Sequence, residues 1–130
     1  MLFRSEDMEG LFFYSYKIDV DISKWDVSNV INMKMMFKNA LFSKPDLSLW
    51  DVSKVVEMQE MFYNSDISSD LKKWNVENVT NMEKMFYNSK YFNDDLSVWE
   101  TDNVNNCKEF NFGADSWTLP KPNFINCDPN

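Results

Sequence analysis

The sequence has no histidine, and only two glycines, four prolines and two cysteines in 130 residues. Without histidine the chain lacks the commonest general base and a favoured metal ligand. Two glycines leave no material for a glycine-rich phosphate loop. No apolar run approaches the ~20 residues of a membrane-spanning helix, so membrane insertion is not expected. The opening "MLFRSEDMEG" lacks the apolar stretch of a secretory signal. That leaves a mature chain, an intracellular chain, or a piece of something longer. Basic residues are also scarce: 13 Lys and Arg face 21 Asp and Glu, for a formal net charge of −8. This balance argues against a nucleic-acid partner, which needs a basic surface. It suits a basic protein surface or a divalent cation, and it also serves solubility alone. Cys107 and Cys127 permit one disulfide without requiring it.

What the sequence does have is a repeat. Trp25, Trp50, Trp74 and Trp99 are spaced by 25, 24 and 25 residues. Three positions before them stand Ile22, Leu47, Leu71 and Leu96. After them run matching columns: Val27, Val52, Val76, Thr101; Val30, Val55, Val79, Val104; and Met33, Met58, Met82, Cys107. The next column is Met36, Met61, Met85 and Phe110, followed by Phe37, Phe62 and Phe86. A 25-residue step back from the first unit meets Met8, Leu11 and Phe12, which places a partial repeat at 1–12. Repeats then fill 13–111, and 112–130 reads as a capping segment because Pro120 and Pro122 block further strand pairing. The whole is expected to be one domain.

Each unit changes its hydrophobic period. Trp25 and Val27 alternate as in a strand with one buried face. Val30, Met33, Met36 and Phe37 follow a helical spacing. Ser28 and Asn29 between them favour a turn or a helix N-cap. Asn39, Asn64 and Asn88 stand where a left-handed residue ends a helix. The expected fold is therefore an α/β repeat solenoid. It would be a right-handed, leucine-rich-repeat-like stack of short parallel strands and short helices. The methionine columns share a face with phenylalanine and read as core rather than as soft metal ligands.

The run "WDVSNVINMKMMF", with its recurrences, resembles the BspA-like surface-protein leucine-rich repeat found in mycoplasma lipoproteins, other bacterial surface proteins, large viruses and phages. The tail "GADSWTLPKPNF" is similar to the closing segment of some members. The resemblance implies a repeat array displayed on a surface, with attachment as its usual suggested role. It brings no catalytic residues and no cofactor.

Residues between the repeated columns are the candidates for binding. In the expected sheet, Asp26, Asp51, Asn75 and Glu100 line up on the outer face, with Glu77 and Asp102 beside them. This acidic face is expected to meet a basic partner or, at Asp26, Asp51 and Glu100, a divalent cation; its simplest alternative is a solvated surface. Asp21, Asp46, Asp70 and Asp95 form a second ladder, best read as acceptors for turn amides. Leu2, Phe3, Phe12 and Phe13 lie in the first partial unit, where a protein partner or a second copy is expected. A Cys107–Cys127 bridge would staple the tail over the last unit; a buried free cysteine is the alternative. The expected function is a non-enzymatic, adhesin-like interaction and surface-display module, cell-surface or secreted. The alternative is a structural component of a virion or other large assembly.

Overall fold

The computed structural model describes residues 5–42 and 46–130. The repeated columns all lie in one core. Met33, Met36, Phe37 and their counterparts Met58, Met61, Phe62, Met82, Met85 and Phe86 are fully buried, as are Val30, Val55, Val79 and Val104. The rings of Phe12, Phe37, Phe62 and Phe86 stack one above the next at 5.4–5.6 Å. Three of the repeat tryptophans reach back to the unit before them. The indole N–H groups of Trp50, Trp74 and Trp99 donate to the carbonyls of Ile22, Leu47 and Leu71 at 2.8–3.0 Å. The Trp column is thus hydrogen-bonded to the Ile/Leu column of the preceding unit, which gives each buried indole N–H its partner.

The expected α/β solenoid of the leucine-rich-repeat type does not form. Among the described residues there is no helix and no sheet, only isolated parallel bridges. One set runs Asp7, Asn32, Glu57, Asn81, Asn106; another pair joins Ile18 and Phe42. The bridges of the first set fall after the second valine of each unit, not at the Trp–Val pair where strands were expected.

Hydrogen bonding explains why. Across 33–40, the N–H groups of Met36, Lys38 and Ala40 bond locally, to carbonyls three residues back. The alternate N–H groups, of Met33, Met35, Phe37 and Asn39, donate to Glu57, Gln59, Met61 and Tyr63 in the next unit. The same four-bond pattern, 2.7–3.0 Å long, joins each successive pair of turns from Met8 to Phe112. An α-helix would turn all these N–H groups inward on itself. It would leave the stack without its main-chain ladder. The spacing of three that imitates a helix is instead the spacing of consecutive three-residue turns.

This zigzag needs left-handed residues at two places per unit. Gly10, Met35, Glu60, Lys84 and Glu109 have φ between +51° and +62°; Tyr14, Asn39, Asn64, Asn88 and Gly113 form the second column at +49° to +74°. Asparagine and glycine accept this conformation readily. For Met35 and Lys84 it costs about 1–2 kcal/mol each, offset by the inter-unit bonds that the conformation permits. Gly113 is constrained twice over, since a Cβ there would lie 2.0 Å from Asn88 Oδ1. Gly113→Ala is expected to lower stability by about 1–2 kcal/mol. In thermal melts, pairing it with Asn88→Ala should recover only the steric part.

The last unit is covered by the tail. Cys107, at the methionine position, is joined to Cys127 by a disulfide. The Glu109 and Leu96 N–H groups donate to the Pro129 and Pro120 carbonyls, Thr101 Oγ1 donates to the Asn123 carbonyl, and Phe124 packs edge-on to Phe110. The prolines accept where a further unit would accept, and cannot donate onward.

Candidate functional site

With no sheet, the expected acidic sheet face dissolves into separate turns. Asp26 Oδ1 accepts the Ser28 N–H at 3.0 Å and the Ser28 hydroxyl at 2.5 Å. Asp51 does the same with Ser53, at 3.0 and 2.6 Å. Asn75 Oδ1 accepts the Glu77 N–H. These side chains close the turn that the sequence assigned to Ser28 and Asn29. The second ladder, Asp21, Asp46, Asp70 and Asp95, closes turns in the same way, accepting N–H groups of Ser23, Ser48, Lys72 and Ser97 at 3.0 Å.

Nearby serines therefore hold several of these carboxyls below their ordinary range. The hydroxyl, then the amide, two residues on lowers Asp21, Asp26, Asp46, Asp51 and Asp95. Asp94 moves the other way: burial raises it, with Asp70 adding repulsion, although it caps the Leu71 and Asp95 N–H groups. A carboxyl lowered by folding stabilises above its unfolded value of 3.8, and that contribution disappears as pH falls through the lower folded value. Asp94 opposes this, since its protonation favours the fold. Five groups against one give a net loss. Melting temperature should hold between about pH 7 and 5 and fall below about pH 4. Asp51→Asn with Asp95→Asn, which keep the turn acceptors and remove the titration, should flatten that fall.

The structure does gather three of the expected residues. Glu77, Glu100 and Asp102, with Asn78 and Asn103, line an open depression of about 350 Å³. Asn78 Nδ2 donates to the Ser53 carbonyl and Asn103 Nδ2 to the Glu77 carbonyl, which fixes the walls. Beside it Glu77 and Glu100 also border a second depression of about 310 Å³ with Lys72, Lys73 and Val98. Asp26 and Asp51 belong to neither. Among the described residues no three acidic, cysteine or histidine side chains converge as metal ligands.

Leu2 and Phe3 lie outside the described residues. Phe12 is half-buried in the ring stack, while Phe13 and Leu11 are exposed. Glu9, Leu11 and Phe13 sit where Lys34, Met36 and Lys38 accept bonds in the next unit. Among the described residues no main-chain N–H donates to their own carbonyls. Among the described residues, too, no helix is long and apolar enough to cross a membrane.

Comparison with known proteins gives the chain a family. A family model described as "Mycoplasma protein of unknown function, DUF285" matches residues 4–72, more than half of the chain. The chain belongs to the DUF285 family. No curated protein and no solved structure matches it. The DUF285 match ends at Lys72, at the start of the third tryptophan unit, and so takes in Asp26 and Asp51. The acidic depression lies beyond the DUF285 match, in units that continue the same bonding pattern.

Sequence reasoning missed a second polar cluster, around Ser65, Asp66 and Tyr91. A signal was present: the column Ala40, Ser65, Ser89, Ala114 is small throughout, yet polar in the middle.

Proposed function

We propose that the chain is a non-enzymatic interaction module of the BspA-like surface-display kind, and that its acidic depression receives a basic protein surface. The observation that carries this reading is the division of labour along the unit. The repeated letters are consumed by the stack, while Glu77, Glu100 and Asp102 line an open depression whose walls are held by asparagine side chains bonded to main-chain carbonyls. The Cys107–Cys127 bridge supports display outside a reducing compartment, where such bonds persist.

Titration with lysine- and arginine-rich peptides tests the idea. Binding should weaken as salt rises and should vanish in the triple variant Glu77→Lys, Glu100→Lys, Asp102→Lys, with the melting temperature little changed. Silence with every basic peptide, or binding that survives the charge reversal, would refute it.

A second contact is favoured by the carbonyls of Glu9, Leu11 and Phe13. We infer that this edge accepts N–H donors from a partner's turn rather than a second copy meeting it head-on. Acceptors would face acceptors in such a pair, so light scattering should find no dimer that Leu11→Asp dissociates.

A further inference from the structure

Among the described residues, two buried side-chain polar atoms have no hydrogen-bond partner, Gln59 Oε1 and Ser65 Oγ; Ser65 is the one that borders a depression. It is 3% exposed, and its Oγ has no hydrogen-bond partner. Its counterpart Ser89 donates to the Phe62 carbonyl at 2.5 Å, whereas Ala40 and Ala114 have no hydroxyl to satisfy. Leaving a buried hydroxyl unpaired costs about 1–3 kcal/mol, so such groups are uncommon.

Ser65 lines a depression of about 120 Å³. The other polar walls are Asn64, Asp66, Asn88 and Lys90; the apolar flanks are Leu41 and Tyr91, the latter 71% exposed. Two of the polar groups are already oriented. Asp66 Oδ1 accepts the Phe42 N–H at 2.9 Å, which fixes the carboxylate and leaves its second oxygen available. Asn64 Nδ2 donates to Asn39 Oδ1 at 2.8 Å, which leaves the Asn64 carbonyl oxygen as an acceptor.

The wall therefore carries donors and acceptors together, with one charge of each sign. An anion would meet Asp66 and a cation would meet Lys90. A neutral ligand escapes both penalties. It must offer hydroxyls to the polar wall and a C–H face to Tyr91 and Leu41, the mix of apolar lining and few placed polar groups that small-ligand sites use. The space corresponds to about four waters at ~30 Å³ each, room for one ring seated on a face and not for a buried chain.

We propose that this depression binds the ring of a neutral sugar. Asp66 and Asn64 hydrogen-bond its hydroxyls, Tyr91 covers its C–H face, and the buried Ser65 lies beneath the wall. The site is separate from the acidic depression, and it stands whether or not that face binds a protein.

The test is a ¹⁵N–¹H titration of the full chain with methyl glycosides of the neutral hexoses and N-acetylhexosamines, to about 50 mM, the range of weak single-ring binding. The expected result is saturable shifts clustered at 64–66 and 88–91 with at least one glycoside. Tyr91→Ala and Asp66→Asn should each weaken it by about tenfold; asparagine keeps the bond to Phe42, so the fold is retained. Ser65→Ala should leave or raise the melting temperature, since it removes an unpaired buried hydroxyl, and should leave glycoside binding within about twofold because Oγ is closed off from the depression. No saturable shift with any glycoside overturns the proposal. Shifts that survive both Tyr91→Ala and Asp66→Asn overturn it equally.

Discussion

Phe62→Ala is expected to remove about 3–5 kcal/mol of stability, the usual range for deleting a large ring from a closed core. Phe62 is fully buried in the middle of the ring column, stacked on Phe37 and Phe86 at 5.6 and 5.4 Å and tilted against Trp74. The cavity has little way to collapse. Main-chain bonds on both sides, Phe37 to Met61 and Phe62 to Met85, fix the distance between units. For a chain of this length the loss corresponds to a fall of roughly 10–20 °C in melting temperature. The position matters as much as the area. In a stack whose units touch only their neighbours, a central defect cuts the array in two. Phe12→Ala, at a half-buried ring at the edge of the same column, should therefore cost distinctly less. Equal losses at the two positions, measured by chemical denaturation, would mean that the ring column does not couple the units.

Removing the disulfide is the second large effect. Cys107 and Cys127 are 20 residues apart, and closing such a loop contributes about 3 kcal/mol. Reduction should thus lower stability by about that amount and act locally first. The tail would lose its covalent hold on the last unit. Phe124 would part from Phe110, and the Glu109 N–H would lose the Pro129 carbonyl. Protease cutting within the tail should appear before the central units unfold. The Cys107→Ala, Cys127→Ala variant should match the reduced protein. If reduction leaves both the melting temperature and the cutting pattern unchanged, the tail is held by packing alone.

The sequence revealed the core far better than the backbone. The Ile/Leu, Trp, Val, Met and Phe columns could be read directly because burial dictates residue type with little ambiguity. The local conformation was misread because a spacing of three and four residues is shared by a helix and by consecutive turns. Met33, Met36 and Phe37 fall on one face in either case. What separates the two is φ at Met35, Glu60 and Lys84, residue types that ordinarily argue for helix. Their left-handed geometry is imposed by neighbouring units, which no window along one unit contains. Asn39, Asn64 and Asn88 did carry a local signal, since asparagine tolerates that conformation.

The candidate sites divide in the same way. Asp26 and Asp51 have their carboxylates engaged within two residues, by Ser28 and Ser53, a local use that the alternation of the sequence does not reveal. Glu77, Glu100 and Asp102, picked from the same alternation, do come together, but across a depression rather than on a sheet. The Ser65 cluster assembles from three units, joining Leu41, Asp66 and Tyr91, and register alone could not show it.

The central claim is that each unit spends alternate N–H groups on the next unit instead of on a helix. A through-hydrogen-bond scalar coupling from the Phe37 amide nitrogen tests it most directly. The account predicts a coupling to the carbonyl carbon of Met61, in the next unit. A coupling to the carbonyl of Met33, four residues back as in an α-helix, would contradict it.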